Sequence, residues 1–280
     1  MMNKYLVIGN PIEHSLSPLL HNYWFKKYRF LDSIYEKKKV EKKDLKKIVE
    51  QIKNDEIKGV NVTVPFKREI FDFIDTAPHE VQFTKSVNTL VKENDKVVGY
   101  NTDQEGFKIS LEENEWDFKN KKVFIIGAGG VTPSILSSFI RADGAEKIYL
   151  SNRTRSKAEE LKKFWDKAID FYQMNKDTIE IIDWGEKSEL CDLIINTTSV
   201  GLTRDEKLDF DFSDYNNNKE ALFYDLIYNP KETNFLKEAK IRENKTMNGK
   251  MMFLWQAHLA FKKWTGVSPK IDQEVIKLLD

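Results

Sequence analysis

An apolar run that ends in a glycine-rich turn constrains the fold of this chain more than any other feature. Val123–Ile126 leads directly into Gly127-Ala128-Gly129-Gly130. Such a turn lets the backbone bend tightly after a strand and approach a pyrophosphate, which the N-terminus of the next helix stabilises. For the glycines alone, a purely structural strand-to-helix turn is the alternative. The context of the turn predicts a βαβ unit with a nucleotide site at Gly127–Gly130.

The end of the next predicted strand indicates which nucleotide fits. An enzyme that uses NAD typically has a carboxylate about 20 residues after the turn, where it binds the ribose diol. This chain instead has Asn152-Arg153-Thr154, followed closely by Arg155 and Lys157. A guanidinium binds a phosphate bidentately, and short polar side chains add donors. A cap role of Thr154 at the following helix is compatible with this interpretation. We therefore predict NADP as the cofactor.

β-like and helical runs alternate along the chain in two series, which indicates an α/β fold. The first series comprises Tyr5–Gly9, Pro18–Tyr28, Ser33–Lys38, Lys43–Lys53 and Gly59–Val64, and closes with a predicted hairpin of Ser86–Lys92 and Lys96–Asn101. The second has β-like runs at Lys122–Ile126, Lys147–Ser151, Thr178–Ile182, Leu193–Asn196 and Leu222–Leu226. Because 280 residues exceed the usual size of one domain, we expect two lobes. The helical segment Gly249–Asp280 is expected to return to the first lobe.

Composition excludes several classes of function. The 45 basic residues balance the 45 acidic ones, which argues against a nucleic-acid or membrane-surface partner and favours a small molecule. The single cysteine, Cys191, is expected in the core, and the four histidines lack paired ligand spacing, so we predict no metal. No apolar stretch approaches the ~18 residues of a membrane span, and we expect a cytoplasmic protein.

Polar residues recur at the ends of predicted strands and in turns. Taken singly they are ordinary caps and turns, and Ser17 before Pro18 is typical of a helix N-cap. In the first half these motifs are Gly9–Pro18 with His21-Asn22, Asn61–Lys67, Ser86–Leu90 and Gly99–Asp103. In the second half they are Gly127–Gly130, Asn152–Thr154, Asn196–Gly201, Tyr224–Pro230, Asn248-Gly249, Gln256-Ala257 and Trp264–Gly266. Together, and in this order, they resemble the shikimate dehydrogenase family from end to end.

The resemblance implies a two-lobe α/β enzyme. Residues 1–104 and 250–280 would form the substrate-binding domain, and residues 105–249 the Rossmann-like NADP-binding domain. The implied reaction is the reversible reduction of 3-dehydroshikimate to shikimate with NADPH, in aromatic amino acid biosynthesis. The implied partners are this small substrate and NADP, and the protein would be a monomer or homodimer.

The resemblance also implies roles for individual residues. Lys67 would be the general acid–base, assisted by Asp103. The substrate carboxylate would bind Ser15 and Ser17, and its ring hydroxyls Asn61, Thr63, Asn88, Asp103 and Gln256. The cofactor pyrophosphate would bind Gly127, Ala128, Gly129 and Gly130, and its adenosine phosphate Asn152, Arg153, Thr154 and Lys157. The nicotinamide would lie near Thr198, Ser199 and Ile227, with Tyr228 on the substrate side and Gly249 on the cofactor side.

Two alternatives stay open from the sequence. A quinate/shikimate dehydrogenase of broader substrate and NAD use is the nearer one, and Ser17 and the absence of an acidic residue at position 152 argue against it. The other is a catalytically silent regulatory protein on the same fold. The presence of both Lys67 and Asp103 argues against that, because a binding protein needs no proton donor beside a ring hydroxyl.

Overall fold

The chain folds into two compact units, Met1–Gly106 with Leu254–Asp280, and Phe107–Phe253. The computed structural model describes residues 2–140, 144–171, 173, 175–203 and 205–279. Each unit contains one β-sheet with helices around it. The predicted α/β class is therefore confirmed.

The first unit is built on a mixed, five-stranded sheet. Its elements are β1 (Asn3–Gly9), α1 (Ser17–Lys27), β2 (Ser33–Lys39), α2 (Leu45–Lys53), β3 (Gly59–Val62), α3 (His79–Thr84), β4 (Thr89–Glu93), β5 (Lys96–Tyr100) and the start of α4 (Asp103–Glu112). The strand order is β2-β1-β3-β4-β5, with β1 parallel to β2 and β3 and with β4 antiparallel to β3 and β5. The carboxyl ends of β1 and β3 therefore lie side by side, and the loops that follow them carry the motifs Gly9–Pro18 and Asn61–Lys67.

The predicted hairpin is present as β4 and β5, but it starts later than expected. Asn94 and Asp95 connect the strands with φ of 47° and 64°, the left-handed values that a two-residue type I′ turn requires. The sequence predicted a strand from Ser86, whereas β4 begins at Thr89. The reason is that Val87 pairs outside the sheet: its N–H donates to the carbonyl oxygen of Lys67 at 2.8 Å.

The second unit contains a six-stranded sheet in which every neighbouring pair is parallel. Its elements are β6 (Lys122–Ile126), α5 (Thr132–Phe139), β7 (Lys147–Ser151), α6 (Arg155–Phe171), β8 (Ile179–Ile182), β9 (Leu193–Asn196), β10 (Leu222–Asp225), α7 (Asn234–Ile241), β11 (Lys245–Asn248) and the start of α8 (Lys250–Thr265). The order is β11-β10-β9-β6-β7-β8. The strand order reverses between β6 and β9, and ligands of such sheets bind outside the carboxyl ends at that switch point.

Strand β11 was not predicted. It lies at the edge of the sheet and pairs only with β10 among the described strands. Lys245 and Thr246 are exposed, and Met247 and Asn248 are half-buried. Its four residues therefore lack the apolar run that marks the fully buried β9 and β10.

The C-terminal segment packs on the first sheet, as the sequence predicted. The end of α8 and the short helix α9 (Gln273–Leu278) belong to the first unit. Trp264 Nε1 donates to the carbonyl oxygen of Leu90 at 3.0 Å, and its indole occupies the space that a side chain at Gly59 would need. Lys27 Nζ on α1 pairs with Asp272 at 2.8 Å, just before α9. The end of the chain is thereby fixed to its beginning.

Three further observations bear on the classes of function considered above. Cys191 is buried, as predicted, and burial raises the pKa of its thiol to about 12, so it is not a reactive thiolate. Over the described residues, no helix has the length and apolar character needed to cross a membrane. In the same part of the chain, no three His, Cys, Asp or Glu side chains form a group that could hold a metal ion.

Candidate active site and nucleotide site

A buried ion pair joins the loop after β3 to the start of α4. Lys67 Nζ lies 2.6 Å from Asp103 Oδ2, and the two side chains retain 11% and 8% of their exposure. Lys67 follows a turn in which the N–H of Phe66 donates to Thr63 O at 3.0 Å. Asp103 is the first residue of α4, and its own N–H donates to Asn101 Oδ1 at 3.0 Å. Burying two charges costs desolvation free energy, so replacing a buried ion pair by two well-packed apolar side chains often leaves stability unchanged. The ion pair therefore points to chemistry.

Asn61 and Asn88, both predicted to bind substrate, lie in a buried hydrogen-bond network. Tyr35 Oη donates to Asn61 Oδ1 at 2.7 Å. Asn61 Nδ2 donates to Asn88 O and to Thr89 Oγ1, both at 3.1 Å. Asn88 Oδ1 accepts from the N–H of Thr102 at 2.8 Å, and its Nδ2 donates to Thr102 Oγ1 at 3.0 Å. Both N–H groups of Asn61 are thus used by the protein, and toward a ligand it can only accept.

The sequence did not identify three members of this network. Thr89 and Thr102 stand in polar motifs beside predicted residues, so their positions gave a usable pattern. Tyr35 lies alone in β2 between Ile34 and Glu36, and nothing in the sequence around it marks a site residue.

Ser17 does not cap α1, so the structural alternative for this residue is wrong. The N-cap position is Leu16, and no side chain caps the helix there. Ser17 is the first residue of α1, is almost fully buried, and donates its N–H to Ser15 Oγ at 3.3 Å. The Ser17 hydroxyl is therefore not consumed by helix capping.

Two other predicted residues of this unit are half-buried. Thr63 packs against Gly9: its Cγ2 lies 2.5 Å from the position that a Cβ at Gly9 would take. Gln256 lies on α8. Of the predicted residues, the first unit holds Ser15, Ser17, Asn61, Thr63, Lys67, Asn88, Asp103 and Gln256, whereas Tyr228 and the predicted cofactor residues belong to the second unit.

The glycine turn after β6 leaves open space beside its backbone. Gly127 has a φ of 117°, and a Cβ there would clash with the Thr197 hydroxyl. At Gly129 and Gly130, apart from the adjacent backbone, no atom of the described residues lies within 4 Å of the position that a Cβ would occupy. Thr132 Oγ1, at the start of α5, donates to Gly127 O at 3.2 Å and holds the turn to the helix. Open space along a glycine backbone at a helix N-terminus fits a dinucleotide pyrophosphate.

Asn152 connects the end of β7 to the glycine turn. Its Oδ1 accepts from the N–H of Ala128 at 3.0 Å, and its Nδ2 donates to Thr154 O at 2.8 Å. Both ends of its amide therefore bind the backbone. The contact with Ala128 orients the glycine turn, and the phosphate contact that the resemblance implied stays a prediction.

The two arginines after β7 differ in their partners. Arg155 contacts Asp183, and its Nε lies 2.8 Å from Glu159 Oε1. The Arg153 side chain is exposed and has no ion-pair partner in the part of the chain that the structure describes. A guanidinium that no carboxylate neutralises remains available to a phosphate. Arg153 therefore fits a 2′-phosphate, and Arg155 does not.

Thr198 is held by a buried asparagine at the end of β9. Thr198 Oγ1 donates to Asn196 Oδ1 at 2.7 Å. Asn196 Nδ2 donates in turn to Val200 O at 3.0 Å and to Asp225 Oδ1 at 3.1 Å. Ser199, between Thr198 and Val200, is exposed. Asn196 begins the motif Asn196–Gly201, but the sequence does not predict its role.

The loop after β10 contains the other residues predicted near the nicotinamide. Ile227 is buried, and the Tyr228 ring stacks on Phe253 with a centroid distance of 4.4 Å. Gly249 donates its N–H to Ile227 O at 3.1 Å, and a Cβ at this position would clash with the carbonyl oxygen of Leu226. Close packing of two backbones therefore explains the glycine without a ligand.

The fold and these residues define the class of the protein: it is a two-domain α/β protein with one Rossmann-like unit. The second unit is a Rossmann-like nucleotide-binding domain with a glycine turn after its first strand, and the first unit is an α/β domain with a buried lysine–aspartate pair.

Comparison with known proteins gives the family. A family model described as "Shikimate dehydrogenase substrate binding domain" matches residues 7–90, and one described as "Shikimate / quinate 5-dehydrogenase" matches residues 110–237. The shikimate dehydrogenase (NADP(+)) of Pelagibacter ubique is 47% identical over 280 residues, which is 100% of each chain. The chain belongs to the shikimate dehydrogenase family, and the resemblance of its motifs is thereby confirmed.

Solved structures agree with this assignment. A shikimate dehydrogenase crystallised in complex with NADP+ is 35% identical, with a TM-score of 0.86 over 99% of this chain and 94% of that one. The shikimate 5-dehydrogenase of Thermus thermophilus, solved with NADP(H) and shikimate, is 27% identical, with a TM-score of 0.82 over 99% of this chain and 98% of that one.

Proposed function

We propose that this chain catalyses the reversible, NADP-dependent reduction of 3-dehydroshikimate to shikimate, a step of aromatic amino acid biosynthesis. The observation that carries the proposal is the buried pair of Lys67 and Asp103, with 2.6 Å between Nζ and Oδ2, in a unit rich in buried polar side chains. The shikimate dehydrogenase (NADP(+)) of Pelagibacter ubique and the shikimate dehydrogenase solved with NADP+ support the same reaction.

Lys67 acts as the general acid–base of the reaction. Reduction of a ring carbonyl leaves negative charge on its oxygen, and a proton must reach that atom. Lys67 Nζ donates it, and takes it back when shikimate is oxidised. Asp103 accepts a hydrogen bond from Nζ and so fixes the direction of the ammonium. When bound, NADPH would supply the hydride for the reduction, and NADP+ would accept it in the reverse reaction.

The first unit recognises the substrate by its charge and its hydroxyls. Ser15 and Ser17 donate to the carboxylate, and the Ser17 hydroxyl is not used as a helix cap. Asn61 accepts from a ring hydroxyl, because its N–H groups are engaged by Asn88 and Thr89. Thr63, Asn88 and Gln256 complete the polar set of the first unit. Such groups discriminate strongly, since an analogue that lacks a hydroxyl leaves them unpaired.

The second unit would hold the cofactor along the carboxyl ends of its strands. The glycine turn, Gly127–Gly130, takes the pyrophosphate, and Arg153 binds the 2′-phosphate with Thr154 and Lys157 nearby. Asn152 orients the turn through the N–H of Ala128. Thr198, Ser199 and Ile227 line the nicotinamide side, and Gly249 allows the close backbone packing behind it.

Steady-state rates with shikimate and quinate, each with NADP and NAD, test the proposal. We expect the highest kcat/KM for shikimate with NADP, because Arg153 has no carboxylate partner in the described part of the chain. Comparable kcat/KM for quinate with NAD would instead support the quinate/shikimate dehydrogenase. Absence of turnover with all four pairs, in protein that binds NADPH, would support the regulatory alternative.

A further inference from the structure

A buried carboxylate holds together the two loops that follow β9 and β10. Asp225, the last residue of β10, is fully buried. Its Oδ1 accepts from Asn196 Nδ2 at 3.1 Å and from the N–H of Ile227 at 3.0 Å. Its Oδ2 accepts from Thr233 Oγ1 at 2.6 Å. One side chain therefore binds the end of the neighbouring strand and two positions of its own loop.

Asn196 extends this connection into the loop after β9. Its Oδ1 accepts both the N–H of Thr198, at 3.0 Å, and the Thr198 hydroxyl, at 2.7 Å. Its Nδ2 bonds Val200 O as well as Asp225. The amide is used fully at both ends, so a shift of Asp225 must displace Thr198.

The same two loops also pack directly on each other. Gly201 has a φ of 114°, and a Cβ there would lie 3.2 Å from Thr233 Cβ and 3.4 Å from Ile227 Cδ1. Glu206 Oε2 accepts the N–H of Gly201 at 3.1 Å, and Glu206 O accepts from Asn234 Nδ2 at 2.9 Å. The loops therefore form one connected surface whose buried link is Asp225.

The position of this surface in the sheet indicates which part of the cofactor it would contact. The features that fit an adenosine phosphate follow β7, on one side of β6, while β9 and β10 lie on the other side. A dinucleotide that crosses the switch point extends its second half over the carboxyl ends of β9 and β10. The two loops are thus the surface available to the nicotinamide.

We propose that Asp225 is a positioning residue that holds the loops after β9 and β10 in the arrangement that orients the nicotinamide for hydride transfer. The proposal rests on the proposed function, because it assumes a nicotinamide on this surface. Asp225 itself touches no ligand and acts through Asn196, Ile227 and Thr233.

The test compares Asp225→Asn with Thr233→Val. The first replaces an acceptor oxygen by an NH₂ group at nearly constant shape, and the second removes the hydroxyl donor. Tyr224→Phe is the matched control: it lies one residue earlier in β10 and loses one buried hydrogen bond, 2.7 Å long, to Ser110 on α4. Each folded variant is assayed for kcat, for affinity to NADPH and 2′,5′-ADP, and for the isotope effect with NADPH deuterated at nicotinamide C4.

We expect kcat of Asp225→Asn to fall by about 10–100-fold, the loss typical of a displaced reacting group or a lost hydrogen bond to a charged acceptor. Thr233→Val should show a smaller loss in the same direction. The isotope effect on kcat should rise, because hydride transfer becomes slower than the other steps, while the affinity for 2′,5′-ADP, which has no nicotinamide, stays within about two-fold. Tyr224→Phe should leave all four values unchanged.

Unchanged kcat and isotope effect in both variants, or equal losses of NADPH and 2′,5′-ADP affinity, would overturn the proposal and leave Asp225 as a residue of general stability. The proposed function fails separately, if the wild-type protein does not turn over shikimate. In that case the two affinities still decide: selective loss of NADPH binding supports Asp225 as a positioning residue, and parallel loss refutes it.

Discussion

Replacing Lys67 by methionine tests the proton donor of the proposed reaction. Methionine keeps most of the length and the apolar stem of lysine, and it removes the ammonium. If Nζ acts mainly in the transition state, kcat for shikimate oxidation should fall by about 10²–10⁴-fold, with little change in KM for shikimate. The rate is read from the absorbance of NADPH at saturating NADP.

The same substitution should lower stability, because the ion pair is buried. The Lys67 and Asp103 side chains keep 11% and 8% of their exposure, so the carboxylate that remains is poorly hydrated. Removing one partner of such a pair typically costs about 3–5 kcal/mol, and the N-terminal position of Asp103 in α4 should reduce that cost. Rates are therefore compared below the melting range of the variant, which circular dichroism defines.

Lys53→Met is the matched control. Lys53 Nζ pairs with Asp75 at 2.7 Å, a similar distance, but the lysine side chain is 41% exposed. Exposed pairs contribute about 0–1 kcal/mol, so this variant should keep both its stability and its rates. Asp103→Asn should impair kcat and KM together, since Asp103 is expected to contact both Lys67 and a substrate hydroxyl. A folded Lys67→Met enzyme with near-normal kcat would refute Lys67 as the general acid–base.

Three other outcomes are expected. Arg153→Ala should raise the KM for NADP far more than the KM for NAD. Arg155→Ala should leave the ratio of these two KM values unchanged, because the Arg155 side chain is already paired. Equal ratios in both variants would contradict the assignment of the 2′-phosphate to Arg153. The double variant Ser15→Ala/Ser17→Ala should weaken shikimate binding by about 1–3 kcal/mol and leave NADP binding unchanged, as measured by fluorescence titration. Equal losses of shikimate and NADP affinity would show that the serines are structural. Burial raises the pKa of Asp225 from 3.8 to about 6, so the folded state binds this proton more tightly than the unfolded state. The contribution of Asp225 to the free energy of unfolding should therefore fall as pH rises from about 4 to 6. In urea titrations, the stability of the wild type relative to Asp225→Asn should decrease over that range; a constant difference would exclude this contribution.

The elements that could be predicted are those whose sequence shows their burial. Strands β9 and β10 are entirely buried, and their apolar runs identified them. In α2 the buried residues Leu45, Ile48 and Val49 follow helical spacing. The edge strand β11 has two exposed residues, and only its pairing with β10 makes it a strand. Pairing with a neighbour is a property of the tertiary structure, which periodicity cannot contain.

The site residues could be predicted by type and position, but their partners could not. Arg155 pairs with Glu159 and with Asp183, which follows β8, whereas Arg153 has no carboxylate partner among the described residues. The contact with Asp183 could not be predicted from the sequence. Asn152 carries donors and acceptors suited to a phosphate, yet its Oδ1 accepts from the N–H of Ala128 and its Nδ2 donates to Thr154 O. In both cases a residue distant in the sequence, Asp183 or Ala128, makes a contact that the sequence pattern does not show.

These contacts separate two groups of residues in the proposed site: those whose substitution would change stability and those whose substitution would change only ligand affinity. Asn61, Asn152 and Thr198 form hydrogen bonds within the protein, so their replacement would leave protein groups unpaired and alter stability together with ligand geometry. Ser17 and Arg153 are not committed in this way, since neither caps a helix or pairs with a described carboxylate. Their replacement should change the affinity for one ligand at nearly constant stability. Melting temperature and affinity, measured for the same variants, therefore separate the residues that bind ligands from those that position them.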